Sequence, residues 1–212
     1  MAAEVRARAD GFAAAVGASP ARQDVRSRLD LTRFNEDRMS DLLADAWTQA
    51  SGYSLVQWRE RAPERYVADV ARLDSRLLED APTGDLKIEP EAIDVERTRA
   101  IEQTRLARGD RCFHTGLRHD ATDALVAWTL MVVDATIDHH GWQQITIVDP
   151  AHRGHRLGII AKLENLAHVR AGTPLLRQID TWTAATNAHM IAINEQNGFQ
   201  PVDRWLRWQR HL

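Results

Sequence analysis

One cysteine, Cys112, in 212 residues excludes an internal disulfide and any metal site built from several thiolates. No apolar run approaches the length of a membrane span. The first residues, Met-Ala-Ala-Glu-Val-Arg-Ala-Arg-Ala-Asp, lack the uninterrupted apolar stretch of a secretory signal. Neither sign of charge dominates: 27 Lys and Arg against 30 Asp and Glu leave a formal net charge of -3. Such a chain has no overall field to draw in nucleic acid, so any anion site must be local. These absences predict a cytoplasmic protein with neither a membrane nor a nucleic acid as partner. What remains is ordinary globular composition, 44% hydrophobic and 27% charged, at a length that suits one domain or one domain with an extension.

The most informative stretch is Ile145-Thr-Ile-Val-Asp-Pro-Ala-His-Arg-Gly-His-Arg-Leu-Gly-Ile-Ile160. A β-branched apolar run stops at a proline turn, and Arg153-Gly154-His155-Arg156-Leu157-Gly158 then leads into a helical segment. This is the order strand, tight basic loop, helix N-terminus. The first turn of a helix carries N–H groups without intrahelical partners and a partial positive charge, so it attracts phosphates. Gly154 and Gly158 allow close backbone approach, while Arg153, Arg156 and His155 add charge. A pyrophosphate is the guest this arrangement suits.

Elsewhere the pattern alternates helices and strands. Ala2 to Val16 is alanine-rich and helix-favouring, and Pro20 breaks it. Arg22 to Leu31 partly alternates and carries many charges, which predicts an edge strand. Thr32 is placed to cap a helix whose face holds Met39, Leu42, Leu43, Ala46 and Trp47 and which Gly52 ends. A strand is expected over Tyr53 to Trp58. From Pro63 a helix repeats Tyr66, Val70, Leu73 and Leu77. After the acidic, turn-rich loop from Asp80 to Pro90, a helix over Glu91 to Arg108 stops at Gly109. Strands follow at Arg111 to Arg118, Ala124 to Val133 and Trp142 to Val148, then a helix over Leu157 to Arg170 and a strand over Gln178 to Thr183. A helix capped by Thr186-Asn187 runs to Asn197, and Phe199 to Gln209 forms the last strand. The expected fold is therefore mixed α/β.

This order, with its loop after the fourth strand of the series from Tyr53, resembles the GNAT superfamily of acyl-CoA-dependent N-acetyltransferases. Val148-Asp-Pro-Ala-His-Arg-Gly154 resembles that family's strand-end-to-loop sequence. Asn187-Ala-His-Met-Ile-Ala-Ile-Asn-Glu-Gln-Asn-Gly-Phe199 resembles its later asparagine, helix, glycine-phenylalanine block. Two blocks in the right order make the resemblance specific, where a lone glycine-rich loop would not. The wording is most similar to domains forming the second half of tandem-GNAT proteins, in which case residues 1–31 resemble the end of a preceding domain. The resemblance implies a mostly antiparallel central sheet flanked by helices. It divides the chain into an N-terminal extension, residues 1–52, packed on an acetyltransferase domain, residues 53–212.

It also implies acetyl-CoA as co-substrate, no metal, and direct transfer to an amine, by default that of a small molecule, in a monomer or homodimer. Backbone groups at Ile147 and Val148 would pair with pantetheine, and the amides from Arg153 through Gly154, His155, Arg156, Leu157 and Gly158 to Ile159 would wrap the pyrophosphate. Arg156 stands where glycine is more common. Asn194 stands where many relatives carry a tyrosine that protonates the leaving sulfur. An amide donates a hydrogen bond but not, near neutral pH, a proton. Asn194 either stabilises the thiolate or fills a polar helix position, and Asn187 either contacts pantetheine or only caps its helix. The fourth strand lacks the carboxylate many relatives use as base. His140, which titrates in the right range, and Glu89 are the candidates. Asp80 and Asp85 border the acceptor side by analogy, and Trp128 and Trp182 line either an acceptor pocket or the core. Cys112, in a strand without an adjacent histidine, argues against an acyl-enzyme. The missing tyrosine and carboxylate leave open a non-catalytic acyl-CoA-binding or regulatory domain.

Overall fold

In the computed structural model, residues 10–80, 82–89 and 92–210 are described. A seven-stranded sheet organises the chain, in the order β2-β3-β4-β5-β6-β1-β7. The strands are β1 (Ser19–Asp30), β2 (Tyr53–Arg59), β3 (Arg111–His119), β4 (Leu125–Val133), β5 (His140–Val148), β6 (Gln178–Ala184) and β7 (Gln200–Gln209). All neighbours are antiparallel except β5 and β6. Helices flank the sheet, among them α1 (Glu36–Thr48), α2 (Glu64–Asp80), α3 (Val95–Arg108), α4 (Leu157–Gly172) and α5 (Ala188–Gln196). Among the described residues no helix is long and apolar enough to cross a membrane.

One face of β2–β5 is covered by α2. Its stripe Tyr66, Val67, Val70 and Leu73 packs with Trp58, Cys112, Trp128, Leu130, Ile145 and Ile147. The opposite face is covered by α4 and α1, through Leu157, Ile160, Leu163, Met39 and Ala46. Phe113, Met131, Val133, Leu166, Val169, Ile179 and Phe199 continue that core toward β6 and β7. Covered on both faces, β4 has all nine residues buried, as its continuous apolar run requires.

The chain's early segments need correction. Arg22 to Leu31 is not an edge strand: β1 lies inside the sheet, antiparallel to β6 on one side and to β7 on the other. Its charges are tolerated there because the neighbouring strands supply partners of opposite sign. Arg28 binds Asp180 at 2.6 and 2.8 Å, Arg26 reaches Asp180 and Asp203, and Asp24 receives Arg22 and Arg207. Thr32 does not cap α1. It sits in a 3-10 turn capped by Asp30, and Asn35 caps α1 by accepting from the Arg38 N–H. Helix α3 starts at Val95, capped by Asp94, four residues later than expected. The helix expected over Ala2 to Val16 falls partly outside the described residues, and residues 10–15 are helical.

Candidate functional site

The site begins where two strands part. Strands β5 and β6 pair only at His140↔Gln178, Gly141↔Ile179 and Trp142↔Asp180, although β5 continues to Val148 and β6 to Ala184. Beyond Trp142 the β5 backbone turns from β6, and a register shift between Leu130 and Met131 marks a bulge against β4 that leaves Gln144 as the extra residue. The resulting gap is lined by Gln143 of β5, Thr181 and Thr183 of β6 and Asn194 of α5. Thr181 Oγ1 donates to the Gln143 carbonyl at 3.3 Å, and Asn194 Nδ2 donates to Thr183 Oγ1 at 3.1 Å. Gln143 Oε1 and Asn194 Oδ1 are buried acceptors without a partner. Buried polar atoms are nearly always paired, so this gap is built for a polar guest.

At the open end of the gap lies the loop from Asp149 to Arg156. Asp149 caps a 3-10 turn over Pro150–His152, and Arg72 donates to it at 2.6 Å. Burial works against the Asp149 carboxylate, but the Ala151 N–H and Arg72 outweigh it and hold its pKa below the usual range. Gly154 has φ +89 and nothing within 4 Å of where a Cβ would sit, an open left-handed position that suits glycine. Arg156, with φ 54, occupies the N-cap position of α4 and offers no side-chain cap; the Ile159 N–H donates to the Arg156 carbonyl at 3.0 Å, which leaves the Leu157 and Gly158 N–H groups for a ligand. Gly158 faces Val148 and Ile193 across ordinary contact distances. The loop's basic side chains already have partners: Arg153 binds Asp80 at 2.8 Å, Arg156 binds Asp45, and His155 Nδ1 lies 3.2 Å from the Gln49 carbonyl. Tyr53 closes the corner by hydrogen-bonding His152 Nδ1 at 2.9 Å.

On the other side of β5, between α2, α3 and the sheet, lies a cavity of about 170 Å³. Asp74, Thr98, Glu102, Arg105, His114, Trp128 and Gln144 are its polar or aromatic lining. Burial raises the Asp74 pKa, and the charge of Arg105 opposes the shift. His114 is stacked between Trp58 and Trp128 at 5.1 and 6.0 Å, and accepts the Trp128 indole N–H at 3.2 Å on Nδ1. Burial pushes its pKa down to about 3, so its ring is neutral at physiological pH.

The expected residues divide between these places. Gly154, Leu157, Gly158 and Ile159 form the loop and the first turn of α4, and Val148 ends β5 beside them. Ile147 turns its side chain into the core, which leaves only its backbone for a ligand. Asn187 is the N-cap of α5, accepting the Met190 N–H at 3.1 Å. Asn194 reaches the gap, and Trp128 lines the cavity. His140 lies at the closed end, where β5 and β6 still pair. It stacks on Trp142 at 4.3 Å with Nε2 3.3 Å from Asp180. Burial lowers its pKa, against the pull of Asp180.

Three acids sit away from the cavity. Asp80 binds Arg153 and Arg76. Asp85 and Glu89 are exposed in a loop that packs on β1 and β7 through Asp85 N–H to Ala21 and through Lys87 to Gln209. Trp182 stacks on Trp142 at 5.5 Å and meets Trp205 edge-on. Cys112 is buried, and burial pushes its pKa up to about 12, which leaves an inert thiol. Sequence reasoning missed Asp74, Arg105, His114 and Gln143. Asp74 had a signal, an acid four residues after Val70 on the apolar stripe of α2.

A mixed sheet whose parallel pair opens beside an uncapped, glycine-flanked helix N-terminus agrees with the resemblance that the two sequence blocks carry. No match was found to any protein-family model or to any curated protein. Solved structures do match. A tandem GNAT protein from the clavulanic acid biosynthesis pathway shares 33% identity with a TM-score of 0.75, over 94% of this chain and 57% of that one. A GCN5-related N-acetyltransferase from Sphaerobacter thermophilus shares 14% over 93% of this chain and 54% of its own, with a TM-score of 0.59. An acetyltransferase from Trypanosoma brucei shares 16% over 73% of this chain and 98% of its own, with a TM-score of 0.53. This chain belongs to the GNAT superfamily. It spans little more than half the length of that tandem protein.

Proposed function

We propose that the chain is an N-acetyltransferase that moves an acetyl group from acetyl-CoA directly to the amine of a small molecule. The observation that carries this reading is the position of the β5 bulge. The strand gap lies on one side of it, and the cavity lined by Gln144 and Ile145 lies on the other. A donor in the gap and an acceptor in the cavity would meet at that point, and holding two reactants in register supplies much of a transfer enzyme's rate.

Acetyl-CoA supplies an activated thioester. The first-turn N–H groups of α4, with Gly154 and Gly158, would hold its pyrophosphate. Gln143 Oε1 and Asn194 Oδ1, buried and unpartnered, fit the amides of its pantetheine arm. Asp74 gives the cavity a carboxyl group to receive an amine, while Glu102 is held by Arg99 and the Ala62 N–H, and the apolar walls Val70, Leu77 and Leu130 limit the cavity's size. Buried Cys112 supports transfer without an acyl-enzyme. Asn194, standing where a proton-donating tyrosine is common, favours a second reading as a non-catalytic acyl-CoA-binding domain.

One experiment separates the two. Acetyl-CoA is incubated with a panel of small amines, thiol release is followed, and the acetylated product is weighed by mass spectrometry. Turnover with at least one amine supports the enzyme, whereas saturable binding of coenzyme A with no product from any amine supports the binding domain.

A further inference from the structure

We propose that Lys162 is a catalytic residue of the strand gap, the group that delivers a proton to the departing thiolate. The proposal rests on acetyl-CoA occupying that gap. Residues four apart on a helix lie one above the other, so Lys162 sits one turn deeper than Gly158 on the same face of α4. A Cβ on Gly158 would lie 3.7 Å from Ile193 of α5 and 3.8 Å from Val148 of β5. That face therefore looks into the seam between the end of β5 and helix α5, beneath the place where β5 and β6 part. The ammonium of Lys162 lies 5.0 Å from the centre of the Phe199 ring, and the Phe199 N–H donates to the Asn194 carbonyl at 3.0 Å.

Lys162 is 4% exposed and, among the described residues, has no ion pair or hydrogen bond. The Phe199 ring is the contact its ammonium has, and holding so buried a lysine without an anion is costly, where leucine or methionine would pack the same helix face without that cost. The gap itself holds buried atoms without partners, Gln143 Oε1 and Asn194 Oδ1. A cation on the helix face turned toward that gap fits a negative charge that the chain itself does not supply. Acetyl transfer creates one, on sulfur.

Burial lowers the pKa of Lys162 to about 7, so that both its forms are present near neutrality. The amide of Asn194 has no proton to give at this pH, but an ammonium does. As the acceptor nitrogen bonds to the acyl carbon, the carbon–sulfur bond breaks and its electron pair goes to sulfur. Lys162 passes one proton to that sulfur, giving the thiol and a neutral amine at Nζ. The surplus proton on the acceptor nitrogen leaves to solvent, and solvent reprotonates Lys162 before the next cycle.

The test uses the full chain, Lys162→Met and Lys162→Arg, with coenzyme A as the probe. The first measurement follows the ultraviolet absorbance of the thiolate of bound coenzyme A against pH. The wild-type protein and Lys162→Arg should ionise the bound thiol about one to two pH units below Lys162→Met, because a nearby cation favours the anion. The second is acetyl transfer. Lys162→Met should lose about a hundredfold in kcat with little change in KM for acetyl-CoA, and the high-pH fall in wild-type kcat should disappear with it. Lys162→Arg, too basic to release its proton, should retain the thiolate shift and still lose rate.

Thermal melting serves as the folding control, and Lys162→Met should melt at or above the wild-type temperature. The proposal is overturned if Lys162→Met keeps both the wild-type thiolate titration and the wild-type kcat. A wild-type protein that shows the thiolate shift but acetylates no amine would sink the enzymatic reading while leaving Lys162 as the sulfur's partner. Absence of any coenzyme A binding would remove both.

Discussion

Strands β4 and β7 belong to one sheet and have opposite characters. Every residue of β4 is buried between α2 and α4, and eight of the ten residues of β7 are exposed. The half from β2 to β5 is held by apolar packing on two faces. The half formed by β6, β1 and β7 is held on one face by a ladder of ion pairs, with Arg28 and Arg26 on Asp180, Arg26 on Asp203, and Arg22 and Arg207 on Asp24. The candidate site falls on the border between them, where β5 leaves β6. A cleft needs one wall that cannot move and one that need not pack against it, and the two halves provide these.

The strongest way to break this comparison is to remove the strand that joins the second half together. Deleting residues 1–31 takes β1 from between β6 and β7, and β1 is the strand that pairs with β7. The truncated chain should show no cooperative melting near the full-length temperature and should aggregate through the uncovered edge of β6. A truncated chain that melts where the whole chain does would mean that β1 contributes nothing to the sheet.

Acid separates the halves without mutation. In the covered half His114 resists protonation until pH about 3, while the unfolded chain takes up the proton near 6.5. Its contribution is present above pH 6.5 and is lost as pH falls toward 3, on the order of 3–5 kcal/mol. In the ion-paired half burial disfavours ionised Asp180, but the hydrogen bonds from Arg28 and the charges of Arg28, His140 and Arg26 prevail and hold its pKa below the ordinary value. That contribution persists above pH about 4 and fails only as pH falls through the lowered value. Urea unfolding at stepped pH should therefore show loss beginning near 6.5, and His114→Gln should reduce that first limb, leaving the smaller share of His140, His152 and His168, whose pKa values burial also lowers.

Asp180→Ala sharpens the comparison from the other side. It strips a fully buried carboxylate from Arg28, Arg26 and His140 and should cost about 3–5 kcal/mol by urea unfolding. A loss below about 1 kcal/mol would mean that the ion pairs in this half are ornamental and that backbone pairing suffices.

Much of the covered half could be read from the sequence because local signals decide it. The stripe Tyr66, Val70, Leu73 and Leu77 shows one face of α2, the unbroken run from Leu125 to Val133 shows a strand buried on both sides, and Gly109 closes α3 in the left-handed conformation. The loop from Arg153 to Gly158 was legible for the same reason. The second half was harder, since Arg26 and Arg28 look solvent-facing until their partners, 154 and 152 residues away at Asp180, are in view. The cavity was hidden in a different way. Asp74, Arg105 and His114 each sit in an ordinary amphipathic element, and only the packing of α2 and α3 on β3 and β4 brings them together.

On the border itself Asn194→Ala tests the smallest of these effects. The amide spans from Thr183 of β6 toward the gap, and its loss should reduce turnover about ten- to a hundredfold, the worth of a hydrogen bond to a charged group, with less change in coenzyme A affinity. Unchanged kinetics would return Asn194 to a packing role.

The central claim is that coenzyme A lies in the β5–β6 gap with its phosphates on the first turn of α4. Calorimetric titration of coenzyme A into the wild-type chain and Gly158→Asp tests it most directly. Position 158 has room for a Cβ, so the variant should fold, yet it places an anion where the pyrophosphate belongs. The account predicts saturable binding to the wild type, much weaker binding of pantetheine without its phosphates, and none detectable in Gly158→Asp. Equal affinity of the folded variant and the wild type would contradict it.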